Sequence, residues 1–261
     1  MRKNILIEGL PGSGKSTLLN QLSRRYHPYR EGDLSPIELA WCAWLTTGQW
    51  ESILRRYPRL ARPIREKTRR ENDHCILAYT QIPDAGEDFY KDLEQHEIYN
   101  GRVDFPTFRE TIFRRYRAFG GTGCAFECSL LQNSIESMML FYCLPEDEIL
   151  AFYRQAFSIL RPKGFGVIYL DSEQVRENLL HIKSERSDEA GNELWFPMML
   201  DFLCGSPYGL AHGYAGFEDA VAHFERRRRL ESRILREIVG PDGLVLTAKH
   251  YDPQEIERWL Q

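Results

Sequence analysis

The stretch from Asn4 to Asn20, N-I-L-I-E-G-L-P-G-S-G-K-S-T-L-L-N, constrains this chain more than any other. An apolar run of Ile5, Leu6 and Ile7 stops at Gly9, and a glycine-rich turn then opens directly into a helical pattern carried by Leu18, Leu19 and Leu22. Strand, tight turn and helix in immediate succession begin an α/β unit, in which the next parallel strand is reached by a crossover.

Gly9-x-x-x-x-Gly14-Lys15-Ser16 matches the Walker A pattern in full. Glycines let a backbone take positive φ and wrap closely, so that its N–H groups and the positive end of the following helix face a β-phosphate. Lys15 is expected to reach the β- and γ-phosphates and the Ser16 hydroxyl to hold Mg2+. Gly9, Pro11, Gly12, Ser13, Gly14, Lys15, Ser16 and Thr17 are thus the expected cradle, with ATP and Mg2+ as cofactors. The Lys15 side chain is expected to point to solvent.

After the first helix, Tyr29-Arg30-Glu31-Gly32-Asp33 reads as the close of a short second strand that ends at Glu31. From Ile37 the spacing turns helical: Ile37, Ala40, Trp41, Trp44 and Leu45, then Trp50, Ile53, Leu54 and Tyr57. These tryptophans are expected in the core. Eight basic residues (Arg55, Arg56, Arg59, Arg62, Arg65, Lys67, Arg69, Arg70) accompany one acid, Glu66. They read as a solvated helix face or, alternatively, as a basic wall beside an anionic substrate. Glu87 to Glu97 reads as an acidic helix, and the stripe Phe108, Ile112, Tyr116, Phe119 as another that Gly120-Gly121 stops. Residues 34–120 are therefore expected to be a helical insertion.

Gly123-Cys124-Ala125-Phe126-Glu127 is expected to be a buried parallel strand ending in a carboxylate at the site. Ile149, Phe152, Tyr153, Ala156 and Ile159 mark a helix closed by Pro162 and Gly164, and Val167 to Asp171 a further strand. A charged helix over 172–186, a loop at 187–192 and a helix over 217–238 containing Arg226 to Arg229 follow. Gly243 to Thr247 reads as the last strand, and Asp252-Pro253 as the N-cap and first residue of a closing helix. The expectation is one domain over 1–261: a three-layer α/β/α fold on a parallel, five-stranded sheet, with 172–215 as a lid-like region.

A formal net charge of −4 gives no global reason to expect nucleic acid or an anionic membrane as partner. Six cysteines lack C-x-x-C spacing, so neither a zinc site nor a disulfide framework is expected, and the thiols read as reduced and mostly buried. The apolar start is too short for a signal peptide, and no run approaches the roughly eighteen apolar residues of a membrane span. The expected location is cytoplasmic.

With these motifs in order, the chain resembles P-loop kinases of the nucleoside and nucleotide group, thymidylate kinase and the deoxynucleoside kinases among them. More closely, it resembles uncharacterised bacterial P-loop proteins in G-L-P-G-S-G-K-S-T, E-G-D (Glu31 to Asp33), F-E-C (Phe126 to Cys128), Q-N (Gln132, Asn133) and H-G-Y (His212 to Tyr214). The resemblance implies that Glu127 organises Mg2+ and that Glu31 or Asp33 orients and deprotonates the acceptor hydroxyl. It implies that Arg186 is a lid arginine stabilising the transferring phosphoryl group. Lys15, Glu31, Asp33, Glu127 and Arg186 are the catalytic set it implies, with Ser16 and Glu127 as metal ligands. The expected partner is a small-molecule phosphoryl acceptor, with a homodimer compatible and neither nucleic acid nor membrane involved. Those kinases follow the strand-end acid with arginine, which helps hold a nucleoside acceptor; here Cys128 stands there.

Asp171, after V-I-Y-L, competes with Glu127 for the metal role, although a helix-capping role also fits it. No N-K-x-D or T-K-x-D motif accompanies Thr247-Ala248-Lys249-His250, which argues against a GTPase switch. A nucleotide-binding sensor is the alternative to a kinase. His212-Gly213-Tyr214 reads as an acceptor-binding or a structural loop, and Arg227 and Arg228 as candidates for anion contacts.

Overall fold

The apolar run near the N-terminus is strand β1 (Asn4–Gly9), buried along its whole length, and the turn after it opens into helix α1 (Lys15–Leu22). This is seen in a computed structural model that describes every residue except 1, 187–192 and 194, so the loop expected at 187–192 lies outside the described residues. The second strand, β2 (His27–Tyr29), ends two residues before the expected Glu31. The chain divides into two compact units, Met1–Pro28 with Gly120–Gln261, and Tyr29–Phe119.

The second unit corrects the expectation of an all-helical insertion. It holds β3 (Ala43–Thr46), α2 (Thr47–Arg56), α3 (Ala61–Glu66), β4 (Thr68–Glu71), β5 (His74–Leu77), α4 (Glu87–Glu94) and α5 (Phe105–Ala118). Its strands form an antiparallel sheet in the order β3-β5-β4. The helical spacing from Ile37 fails because side chains there hold a non-helical backbone. Ser35 Oγ accepts from the Ile37 and Glu38 N–H groups, Glu38 Oε1 accepts from Leu39 and Ala40, and Trp41 is left-handed at φ 60°. Beyond it, Ala43 and Leu45 alternate inward as a strand requires and meet Ile53, Cys75, Leu77, Phe89 and Leu93. Trp41 is 47% exposed, so it is not the core residue expected.

The basic run spans α2, α3 and β4 rather than one helix face. Arg56 pairs with Asp92 and Arg62 with Glu66, while Arg69 donates to the Leu34 and Ser35 carbonyls and to Glu71. The stripe on α5 is as expected, with Phe108, Ile112 and Tyr116 buried and Asp104 capping the helix through the Thr107 N–H.

The chain returns to the first unit with β6 (Cys124–Glu127), followed by α6 (Gln132–Glu136), α7 (Glu146–Leu160) and β7 (Phe165–Asp171). Helices α8 (Val175–Glu185), α9 (Trp195–Gly205), α10 (Pro207–His212) and α11 (Phe217–Ile234) lead to β8 (Gly243–Thr247) and α12 (Pro253–Leu260). The five-stranded parallel sheet runs β2-β6-β1-β7-β8. Its register sets Ile7 beside Glu127, Glu8 beside Tyr169, and Asp171 beside Thr247. On one face Ile5, Ile7, Ile168 and Leu170 pack with Leu18, Leu19 and Leu22 of α1 and Ile256 of α12. Successive strand residues point to opposite faces, so Glu8 and Tyr169 turn to the other layer, where Tyr169 meets α11. Helices therefore cover both faces, and β1 ends between its neighbours at the carboxyl edge, where open parallel sheets place their sites. Asp252 caps α12 through the Gln254 N–H, as expected.

Candidate active site

The glycine-rich loop is shaped by close approach. Gly9 has φ +143°, and a Cβ there would stand 2.5 Å from the Leu170 carbonyl oxygen. Gly12 has φ +73°, and a Cβ there would meet Ile182 Cγ1 of α8 at 2.4 Å. Lys15 departs from its expected course: its side chain is buried rather than solvent-directed, and Nζ donates to the Gly9 and Leu10 carbonyls at 2.8 and 2.9 Å. The ammonium, folded under the loop, thus bonds two carbonyls of the turn, one of which, Leu10, also accepts from the Ser13 N–H at 3.3 Å. Ser16 and Thr17 are exposed at the start of α1, which has no acid in its first turn and no side-chain cap. The buried Ser13 hydroxyl has no hydrogen-bond partner among the described residues.

Ser16 Oγ donates to Glu127 Oε1 at 2.5 Å. The pairing follows from register: β6 lies next to β1, with Glu127 opposite Ile7, so the carboxylate ends level with the start of the loop. Asp171, the competing acid, is engaged by Arg228, whose Nε and Nη2 donate to its two oxygens at 2.6 Å each. Arg227 is likewise paired internally, so the anions met by both arginines are protein carboxylates.

Helix α8 leans on the loop. Asn178 Nδ2 donates to the Pro11 carbonyl at 2.7 Å, and Ile182 covers Gly12. Arg186 follows Ile182 by four residues, is exposed at the end of α8, and lays its guanidinium over Trp195 at 5.0 Å. Beyond β7 and β8 a cleft of about 430 Å³ is lined by Ser172, Glu177, Asn178, Thr247, Lys249 and their neighbours.

Glu31 and Asp33 belong to the second unit. Both Asp33 oxygens hold the turn there, accepting from the Arg30 N–H and from Gln81 Nε2 at 2.7 Å each, while Glu31 Oε1 accepts from the Trp41 indole at 3.1 Å. Of the expected catalytic residues, the first unit thus holds Lys15, Glu127 and Arg186, and the second holds Glu31 and Asp33. His212 is stacked on Tyr208 at 3.8 Å and bonds its carbonyl, which favours the structural reading of that loop.

Sequence reasoning missed Glu8. Fully buried, it accepts from the Leu130 N–H at 2.7 Å and faces the Gln132 N–H, so it ties β1 to the turn after Glu127. Burial, with Glu231 adding to it, pushes its carboxyl up to about 8, against the lowering effect of the Leu130 hydrogen bond. Beside it runs a buried chain of polar groups. Tyr169 donates to Glu231 at 2.7 Å, Arg227 joins Glu231 to Glu136 at 2.8 and 2.7 Å, and His223 meets Glu136 at 2.7 Å. Burial alone would raise Glu136, but His223 and Arg227 outweigh it and hold the carboxyl at about 2. The spacing of residues 223, 227 and 231, one face of a helix, is the signal that could have revealed this network. Cys128, where the resembled kinases carry arginine, is buried and left-handed at φ 56°.

Comparison with known families, curated proteins and solved structures gives no match to this chain. Among the described residues no helix is long and apolar enough to cross a membrane, and no three His, Cys, Asp or Glu side chains gather as a metal-binding group. Mg2+ does not require such a group. It keeps several waters and takes one or two protein oxygens plus phosphates, and the Ser16 hydroxyl beside the Glu127 carboxylate fits that donor set.

Proposed function

We propose that this chain is a P-loop phosphotransferase of the nucleoside and nucleotide kinase type, which binds ATP with Mg2+ and moves the γ-phosphoryl group to a small hydroxylated or phosphorylated acceptor. One observation carries the reading: the hydroxyl that follows the loop lysine lies 2.5 Å from a carboxylate at the end of the neighbouring strand. A structural turn between strand and helix has no need of that pair. Mg2+ between them would neutralise charge on the β- and γ-phosphates. Ser16 and Glu127 would hold the ion, directly or through water. Lys15 would exchange one of its carbonyl partners for phosphate oxygen, and the Ser13 hydroxyl, which has no partner among the described residues, would donate to the same anion. Arg186 would supply positive charge to the transferring group. The acceptor's base remains assigned, on resemblance, to Glu31 or Asp33. Asp171 is a structural partner of Arg228 in this reading.

The testing experiment measures ATP consumption by the whole chain against panels of nucleosides, nucleotides, sugars and aminoglycosides. At least one class should raise turnover well above solvent hydrolysis. A protein that binds ATP but responds to no acceptor would instead be a nucleotide-binding sensor.

A further inference from the structure

We infer that Asn178 is a phosphate-binding residue that donates to the terminal phosphoryl group of the bound triphosphate; this rests on the nucleotide-binding reading above. A phosphate loop works by pointing backbone N–H groups at an anion, and this one is short of them at its tip. Pro11 has no N–H, and the Ser13 N–H is turned back to the Leu10 carbonyl at 3.3 Å.

At that place an external donor has been brought in. Asn178 Nδ2 lies 2.7 Å from the Pro11 carbonyl, and its Oδ1 is 3.3 Å from where a Gly12 Cβ would be, so the carboxamide lies against the loop itself. The NH2 group carries two hydrogens, and the Pro11 bond uses one. Gly12 explains how the helix comes so close: a Cβ would collide with Ile182, one turn beyond Asn178 on the same face of α8. Asn178 also lines the cleft beyond β7 and β8, so it stands between that cleft and the loop tip. Since the first turn of α1 takes the β-phosphate in this reading, a donor at the far shoulder of the loop meets the phosphoryl group beyond it. A neutral amide suits the place, because it adds a hydrogen bond without competing with Lys15 for the same charge.

Calorimetric titration of the full chain with MgATP and MgADP tests this, with melting temperature as the folding control. Asn178→Ala should weaken MgATP about tenfold, the usual effect of losing a hydrogen bond to a charged group, and MgADP less than about threefold. Asn178→Asp, which replaces the donor with a negative charge, should weaken MgATP further. Ile182→Val, which alters packing on Gly12 but not the donor, should leave both affinities within about twofold of wild type. If Asn178→Ala does not fold, Asn178→Asp carries the same comparison. Equal losses for MgATP and MgADP, or the same losses in Ile182→Val, would mean that α8 only braces the loop and would overturn the inference alone. A wild-type chain that binds neither nucleotide would overturn the functional reading as well.

Discussion

Ser16 and Glu127 are joined by one short contact, and the chemistry proposed here depends on it. A carboxylate that organises Mg2+ acts on every reaction of the triphosphate, whereas a general base acts only when an acceptor is bound. Glu127→Gln should therefore raise the Mg2+ concentration required and depress acceptor phosphorylation and background hydrolysis together, each by about 10²-fold. Asp171→Asn should lower stability by loosening Arg228 without changing the Mg2+ requirement. Mg2+ titrations of steady-state rates for the two variants decide the point, and a metal phenotype confined to Asp171→Asn would reverse the assignment. At this scale the sequence was informative where a motif dictates local geometry: the spacing from Gly9 to Ser16 placed the lysine and hydroxyl correctly within strand, turn and helix. It could not tell where the Lys15 side chain folds, because that depends on which carbonyls the finished turn brings within reach of its ammonium. Nor could it show that Arg227 and Arg228 meet protein carboxylates, which come from α6, β7 and α11.

Elements were legible where periodicity and packing agree. β1, β6 and β7 have the apolar pattern of buried parallel strands, and α5 and α7 show apolar stripes that the core uses. The segment from Ile37 to Leu45 has helical spacing and no helix, because Ser35 and Glu38 bond the local backbone and Trp41 turns left-handed. Local side-chain chemistry there defeats period. The buried link between β1 and the β6–α6 turn makes a prediction of its own. Glu8 is pushed up to about 8 in the folded chain against 4.5 for a free carboxyl, so between those values the folded state holds a proton that the unfolded state has lost. Stability from this group is complete below about pH 4.5 and is lost as pH rises through about 8. The slope is of order 1 kcal/mol per pH unit. Denaturant unfolding of wild type and Glu8→Gln from pH 5.5 to 8.5 should show that component in the wild type and its absence in the variant. Parallel pH curves for the two proteins would mean that Glu8 ionises like an ordinary surface carboxyl.

At the scale of the whole molecule, the chain consists of a parallel-sheet unit that carries the glycine-rich loop and a second unit with its own antiparallel sheet and core. The sequence reading was of one domain over 1–261 with an insertion over 34–120, whose bounds lie close to those of the second unit, 29–119. It misjudged what lies inside, since short strands such as Thr68–Glu71, rich in arginine, carry no apolar alternation to announce them. The central claim concerns the first unit: its loop binds ATP with Mg2+. Calorimetric titration of the whole chain with MgATP tests this most directly, with Lys15→Ala as the comparison and melting temperature as the folding control, since the variant also loses the bonds to Gly9 and Leu10. The account predicts saturable, Mg2+-dependent binding by the wild type and a loss of about 10²-fold or more in folded Lys15→Ala. Equal affinity in the two proteins, or no binding by the wild type, would contradict it.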